Sequence, residues 1–472
     1  MNFDILIKAL NDFLNLGVPI IAPTLLFILA LLVRVPFGRA LRAAITYGIG
    51  FIGIFLILDL LLSNIAGAAE LLVQNTGVTL EIIDVGWPVD AAIAFGVPPF
   101  ATVFIGVIII NLIMFIRRWT ITLDIDFHNY YQWVIPASLV YFFTGNLIAG
   151  TIVGLVNFVL TLKIADWTEK DVAEWWELPG VTIPHTNSMG WWPFAFLVDW
   201  VLDRIPGVNK IRIDVKGLQE KIGVFGEPMI IGAIIGVGLG IGAGYNVQGI
   251  INLALNLGAS MILMPRMISL LMEGLVPVFQ SARKWVMERF PNYDFRIGLD
   301  AAVLIGKPEV LVIGMLMTPV MILLAFIMPG NRVLPFADLS VLNFFCLTAV
   351  GVNRGNLFRG FIIGTLMCAV MLLGANYIAP TITEMGRTAG FETDVQGLYT
   401  TIEGGSIYGA MFVNVLIYAL VNAKVTGWII AGASVVAGAI LLVLFKKILF
   451  LPRKYADISE ARKAELYPTA KE

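Results

Sequence analysis

Asp90-Ala-Ala-Ile-Ala-Phe-Gly-Val-Pro98 returns as Asp300-Ala-Ala-Val-Leu-Ile-Gly-Lys-Pro308, 210 residues later. At the same offset, Thr144-Gly-Asn-Leu-Ile-Ala-Gly-Thr-Ile-Val-Gly154 returns as Arg354-Gly-Asn-Leu-Phe-Arg-Gly-Phe-Ile-Ile-Gly364. Gly17-Val-Pro19 pairs with Gly226-Glu-Pro228 at 209. Small-residue motifs recur by chance in membrane helices, where glycine lets one helix lie against another. Three matches in order at offsets of 209 to 210 point instead to an internal duplication.

What is duplicated is a membrane unit. Of 472 residues, 58% are hydrophobic and 14% charged, and the mean hydropathy is +0.88. A soluble domain carries about 25% charge. Pro19–Val33, Tyr47–Leu62, Ala101–Ile116, Val310–Met328 and Trp428–Phe445 are nearly uncharged runs, each about long enough to cross a bilayer as a helix. The net charge of −2 and the lack of a basic stripe give no sign of nucleic-acid binding. Cys346 and Cys368 lie in apolar stretches and read as buried thiols, with no disulfide framework or metal spacing. No cofactor is expected. No Walker motif or Ser/His/Asp nucleophile is present, which excludes ATP-driven transport by this chain alone.

The basic residues set the orientation of the two copies. Arg34, Arg39 and Arg42 stand opposite Gly244, Gly249 and Asn252 at the offset of 210, and Arg117 and Arg118 opposite Ile327 and Met328. Conversely Arg283, Lys284, Arg354 and Arg359 stand opposite Val73, Gln74, Thr144 and Ala149. Lys and Arg accumulate on cytoplasmic loops, so equivalent loops fall on opposite sides. That is the pattern of inverted repeats with an odd number of crossings each.

A later match, Thr182-Ile-Pro-His-Thr-Asn-Ser-Met-Gly190 with Thr401-Ile-Glu-Gly-Gly-Ser-Ile-Tyr-Gly409, sits between stretches too short or polar to be full spans. Read as re-entrant hairpins, they complete an all-α polytopic fold of about 11 transmembrane helices. The expected divisions are an interfacial amphipathic helix at 1–16, a first repeat at 17–222 with a basic segment at 204–221, and a second repeat at 223–422. A final span at 423–447 and a cytoplasmic tail at 448–472 follow, with the N-terminus outside. Such a plan implies a transporter.

Irregular backbone at membrane depth is tolerated only inside protein or around a water-filled cavity, so the tips are the candidate solute site. They offer His185, Thr186, Asn187 and Ser188 in one copy and Glu403, Gly404, Gly405 and Ser406 in the other. The bland reading makes them aqueous loops. His128 and Asp338 are equivalent at 210, inside Asp124-Ile-Asp-Phe-His-Asn129 and Pro335-Phe-Ala-Asp-Leu-Ser340; they mark either a pathway or interfacial loops. Each histidine thus faces a carboxylate position in the other copy, Glu403 adjoining Gly404, the equivalent of His185. The four Gly-x-Pro turns read as helix starts, and Asp90 and Asp300 as helix caps. Lys163–Lys221, outside its hairpin, forms with the tail either a positive-inside loop or a docking face for a soluble partner.

Thr182-Ile-Pro-His-Thr-Asn-Ser-Met-Gly-Trp-Trp192, Phe225-Gly-Glu-Pro228, Ile305-Gly-Lys-Pro-Glu309 and Thr401-Ile-Glu-Gly-Gly405, in this order, resemble the IIC permease of the galactitol phosphotransferase system (PTS). The resemblance runs from about residue 5 to 447 and places the chain in the ascorbate–galactitol superfamily. It implies a homodimer in the bacterial inner membrane, with a scaffold and a mobile core that shifts like an elevator. It also implies a sugar alcohol captured outside and phosphorylated by a phosphocysteine on a separate IIB protein, itself charged by IIA. His185, Glu403 and Asp338 are then candidates for accepting the hydroxyl proton or orienting the hydroxyl, and the same three with His128, Thr186, Asn187, Gly404 and Ser406 for binding. An ion-coupled secondary transporter using His128, His185, Asp338 and Glu403 is the rival reading, and a membrane sensor a weaker third.

Overall fold

Proline preset at φ near −65° can occupy the first turn of a helix without losing an intrahelical bond, and the Gly-x-Pro phrases behave accordingly. Pro228 and Pro308 each open a helix behind an extended Glu227 or Lys307. The computed structural model describes residues 18–449, apart from 33, 77–79, 85, 87–89, 91–92, 95–96, 290–294, 336, 389–397 and 401–411. The 1–16 segment, the second tip and the tail beyond 449 lie outside the described residues.

The first half runs α1 (Val18–Leu32), α2 (Phe37–Thr76), β1 (Ile82–Asp84), α3 (Pro99–Ile116), β2 (Thr122–Asp124), α4 (Tyr131–Thr144) and α5 (Leu147–Glu174). Then come β3 (Val181–Thr182), the four-residue α6 (Thr186–Met189), α7 (Trp192–Leu202) and a surface helix α8 (Val215–Ile222). The second half runs α9 (Pro228–Gly242), α10 (Val247–Arg289), β4 (Arg296–Gly298), α11 (Pro308–Ile327), β5 (Val333–Leu334) and α12 (Leu342–Gly351). It ends with α13 (Leu357–Thr388), β6 (Leu398–Thr400), α14 (Phe412–Asn422) and α15 (Gly427–Leu449). The starts of α1 to α5 and of α9 to α13 are separated, pair by pair, by 209 to 211 residues.

Among the described residues, seven helices are long and apolar enough to cross a membrane: α2, α3, α5, α10, α11, α13 and α15. The apolar runs read from the sequence coincide with α1, α2, α3, α11 and α15, Met328 standing just past α11 and Val33 outside the described residues. This is a multi-pass membrane protein.

The helices pack in two groups. α2 and α10 lie along one another with α1 and α9 against them; a Cβ on Gly274 would come within 2.5 Å of Ala43 O, so glycine is what lets these helices touch. In the other group α4 lies on α5, α11 on α12 and α13, and α15 on α5. Two small parallel sheets stitch this second group, in the orders β5-β1-β6 and β2-β4-β3. In each sheet the middle strand comes from the other half of the chain.

Candidate functional site

Sheet β2-β4-β3 brings three distant segments to one place, because Thr122–Asp124 and Val181–Thr182 both pair with Arg296–Gly298. Asn111 on α3 secures the outer edge of β2, donating to Thr122 O and accepting from Asp124 N–H, both at 3.0 Å. A Cβ on Gly298 would lie 2.9 Å from both Asp124 Cα and Pro184 Cγ, so the centre of the sheet has room only for glycine. The strands then deliver the segment after β2 and the turn after β3 to the N-terminal end of α4.

There Gln132 organises the turn. Its Oε1 accepts the backbone N–H groups of Thr186 at 2.8 Å and Asn187 at 3.2 Å, which would otherwise be orphaned at the start of α6. Those groups can only donate, so the amide nitrogen faces the other way. It meets His185 Nε2 at 2.8 Å and donates to Asn129 Oδ1 at 3.3 Å. Asn129 Nδ2 in turn donates to Asp126 Oδ2 at 2.8 Å and to Asp300 Oδ2. Every direction in the chain is thus fixed. Since Gln132 Nε2 only donates, His185 Nε2 accepts and the proton of the neutral ring sits on Nδ1.

All of these groups are buried: Gln132 is 1% exposed, His185 4%, Asn129 5% and Asp300 8%. Thr186 Oγ1 is held by the Trp133 indole at 3.0 Å and by Thr161 Oγ1 at 2.9 Å. The His185 ring faces Phe344 of α12, centroids 6.3 Å apart. Asn187 and Ser188 are as deeply buried, yet both ends of the Asn187 amide and Ser188 Oγ have no hydrogen-bond partner among the described residues. Burying unsatisfied polar atoms is costly, and three of them together on one short turn suit a place where a polar ligand or water completes the hydrogen bonds.

Beside this turn stand three carboxylates. Asp300 caps the turn Ala301–Leu304 through Ala302 N–H at 2.6 Å, the role expected of it. Asp124 Oδ1 accepts Asp126 N–H at 3.0 Å. Burial pushes the Asp124 carboxyl up to about 7. Burial, then the charges of Asp300 and Asp124, hold the Asp126 carboxyl well above the usual carboxylate range.

Asp338 belongs elsewhere. It lies in the turn Ala337–Val341 beside the other sheet, fully buried, its N–H donating at 2.7 Å to Asp84 Oδ2 at the end of β1. The structure therefore brings together His185, Thr186, Asn187 and Ser188, and sets Asp338 with Asp84. His128 occupies the equivalent turn Phe127–Tyr130, with its side chain outside the description. Glu403, Gly404 and Ser406 lie outside the described residues, so the approach of Glu403 to His185 is not part of this geometry. Sequence reasoning missed Gln132, Asn129, Thr161, Asp126 and Asp300 as neighbours of the tip. The one available signal was the density of polar groups in Asp124-Ile-Asp-Phe-His-Asn129.

Comparison with known proteins supplies the class. Residues 12–397 match the family of the PTS system sugar-specific permease component, EIIC-GAT. The chain belongs to this family. It is 34% identical over 432 residues to the galactitol-specific EIIC component of the PTS of Escherichia coli strain K12, covering 91% of this chain and 95% of the relative. The same figures hold for the protein of that name from Escherichia coli O157:H7. A putative permease IIC component of strain K12 is also 34% identical, over 378 residues, 80% of this chain and 86% of the relative. The family resemblance read from the tip motifs is therefore right, and the buried polar turn lies in an EIIC permease.

Proposed function

We propose that this EIIC chain binds a sugar alcohol, galactitol by the names of its relatives, at the turn His185–Ser188, carries it across the bacterial inner membrane and presents it to phosphorylated IIB. The observation that carries the site is the set of unpartnered Asn187 and Ser188 side-chain atoms on a turn whose Thr186 and Asn187 N–H groups and Thr186 hydroxyl are held by Gln132, Trp133 and Thr161. An open amide and a hydroxyl, each able to donate and accept, suit a ligand whose every carbon bears a hydroxyl. Glu403, Gly404 and Ser406 would close over it from the second copy, and Asp338 and His128 would serve the passage.

On IIB a hydroxyl oxygen of the polyol attacks phosphorus, the phosphorus–sulfur bond breaks, and the thiolate leaves. The hydroxyl proton needs an acceptor. With its Nε2 engaged by Gln132, His185 is set to donate from Nδ1 to a hydroxyl oxygen, which leaves proton acceptance to a carboxylate such as Glu403. The inverted repeat, eleven crossings, two hairpins and an elevator-like core are part of the same reading, supported by the constant spacing of paired helices. The exposed Lys170, Lys210, Lys216 and Lys221 would form the docking face for IIB, with the C-terminus inside.

Uptake into vesicles carrying the purified chain tests the class. Galactitol should enter only with phosphorylated IIB and appear as its phosphate; accumulation of unmodified polyol without IIB would overturn the proposal. A second reading, proton-coupled secondary transport, draws on Asp124, whose carboxyl near 7 could carry a proton at neutral pH. It requires uptake to collapse with an uncoupler and to proceed without IIB.

A further inference from the structure

Away from the polar turn, α3, α5 and α15 enclose a groove of about 600 Å³. Its floor is apolar, with Ile113, Val159 and Val443 among its lining. Further along the chain direction the lining changes to Trp119 just past α3, Lys163 and Trp167 within α5, and Lys446 near the end of α15. All three helices thus run from apolar residues to an indole or an ammonium in the same direction. Ile113, Trp119 and Val443 are 48%, 62% and 56% exposed, so this face is open rather than covered by the chain itself.

The cations are not equivalent. Lys163 Nζ is already held by Asp166 at 2.6 Å and by Trp119 O at 2.7 Å, with the Trp167 ring 5.8 Å away. Lys446 is exposed and makes no ion pair among the described residues, and Lys447, Arg117 and Arg118 follow it at the same ends, also exposed. Tryptophan and lysine are the residues that sit at the headgroup level of a bilayer, and basic pockets between spans select anionic headgroups. A groove that is apolar along its length and ends at two indoles and the stems of two lysines is the shape of one phospholipid, with the exposed Lys446 ammonium beyond its mouth.

We propose that this groove binds an anionic phospholipid, its acyl chain along Ile113, Val159 and Val443 and its phosphate at Lys446. A zwitterionic lipid would fill the apolar part equally well and gain less at the ammonium. Arg117, Arg118 and Lys447 add long-range attraction, while Lys163 and Asp166 serve mainly to fix the indoles.

The full chain in detergent, titrated with phosphatidylglycerol, phosphatidylcholine of the same acyl chains, or inorganic phosphate, tests this through its melting temperature. Phosphatidylglycerol should stabilise at about fivefold lower concentration than phosphatidylcholine, one lysine contact being worth that factor; phosphate should do nothing. Lys446→Ala should erase the difference between the two lipids. Val443→Trp, which fills the groove and leaves the charges, should weaken both. Equal potency of the two lipids, an unchanged preference in Lys446→Ala, or stabilisation by phosphate alone would overturn the proposal. So would cross-linking of Val443→Cys between two copies, which would make the groove a contact between protomers.

Discussion

Gln132 decides what His185 can do. A glutamine whose oxygen is taken by two backbone donors must offer its NH2 to the imidazole, and the imidazole must then accept at Nε2. With only two histidines in the chain, ring-nitrogen NMR of histidine-labelled protein reads this directly, His185→Asn assigning the signal. The expected ring carries its proton on Nδ1. Gln132→Glu, whose second oxygen accepts, should move the proton to Nε2; an Nε2–H ring in the unaltered protein would refute the arrangement. Gln132→Leu leaves two buried N–H groups unpaired, at about 1–3 kcal/mol each, and should cut uptake on the order of tenfold to a hundredfold by misplacing the turn. Asp124 makes a separate prediction. Its carboxyl ionises at about 7 in the fold against an ordinary 3.8, so the fold favours the protonated form. The stabilisation is complete below about pH 4 and is lost as pH rises through 7. The melting temperature should therefore fall between about pH 4 and 7 less steeply in Asp124→Asn than in the unaltered protein; parallel curves would remove Asp124 as the cause. Of these residues only His185 and its neighbours were legible in the sequence, because a Pro-His-Thr-Asn-Ser run between apolar stretches is conspicuous. Gln132 sits at the start of an apolar helix and Asp300 in a capping position, and nothing local says that they meet.

At the scale of elements, the site depends on how closely α4 and α5 approach. A Cβ on Gly150 would come within 2.5 Å of Ala137 O, and one on Gly154 within 2.6 Å of Trp133 O. Trp133 follows Gln132, so this contact sets where the turn's partners stand. Gly154→Val should cost about 1–3 kcal/mol by overpacking and depress uptake beyond what the lowered melting temperature explains. Full uptake in the variant would show that α4 tolerates the shift. α7 is fixed differently. Arg359 on α13 is fully buried and reaches Asp199 on α7 at 3.1 Å and Asp203, which caps the end of α7, at 2.9 Å. Arg359→Met would take the guanidinium from both carboxylates and should destabilise by about 3 kcal/mol, measurable as a lower melting temperature that Asp199→Asn with Asp203→Asn partly restores. Long apolar helices and their proline starts were readable, since length and hydropathy suffice for them. The six strands were not: each has two or three residues, too few for an alternating pattern to register. Arg359 was read only as a topology marker, because its partners lie about 160 residues away.

For the whole molecule, the two sheets limit how it can divide. β1 from the first half lies between β5 and β6, and β4 from the second half between β2 and β3. The halves of the sequence therefore cannot be the two moving parts, since separating them would break both sheets. The division that the packing allows sets α1, α2, α9 and α10 against everything held by the sheets. If an elevator-like shift carries the solute, α2 and α10 stay fixed relative to one another while the sheet-bound group slides past them. Asn64 on α2 and Asn256 on α10 touch, Nδ2 of Asn256 donating to Oδ1 of Asn64 at 2.9 Å. A short bis-maleimide bridge between Asn64→Cys and Asn256→Cys should leave uptake near normal, because it joins two members of the fixed group. A bridge between Thr122→Cys and Arg296→Cys, in register on β2 and β4, should likewise leave uptake intact once the reduced variant is shown to transport. Loss of uptake on bridging α2 to α10 alone would mean that these helices slide past one another, and the moving boundary would then run through the glycine-packed group.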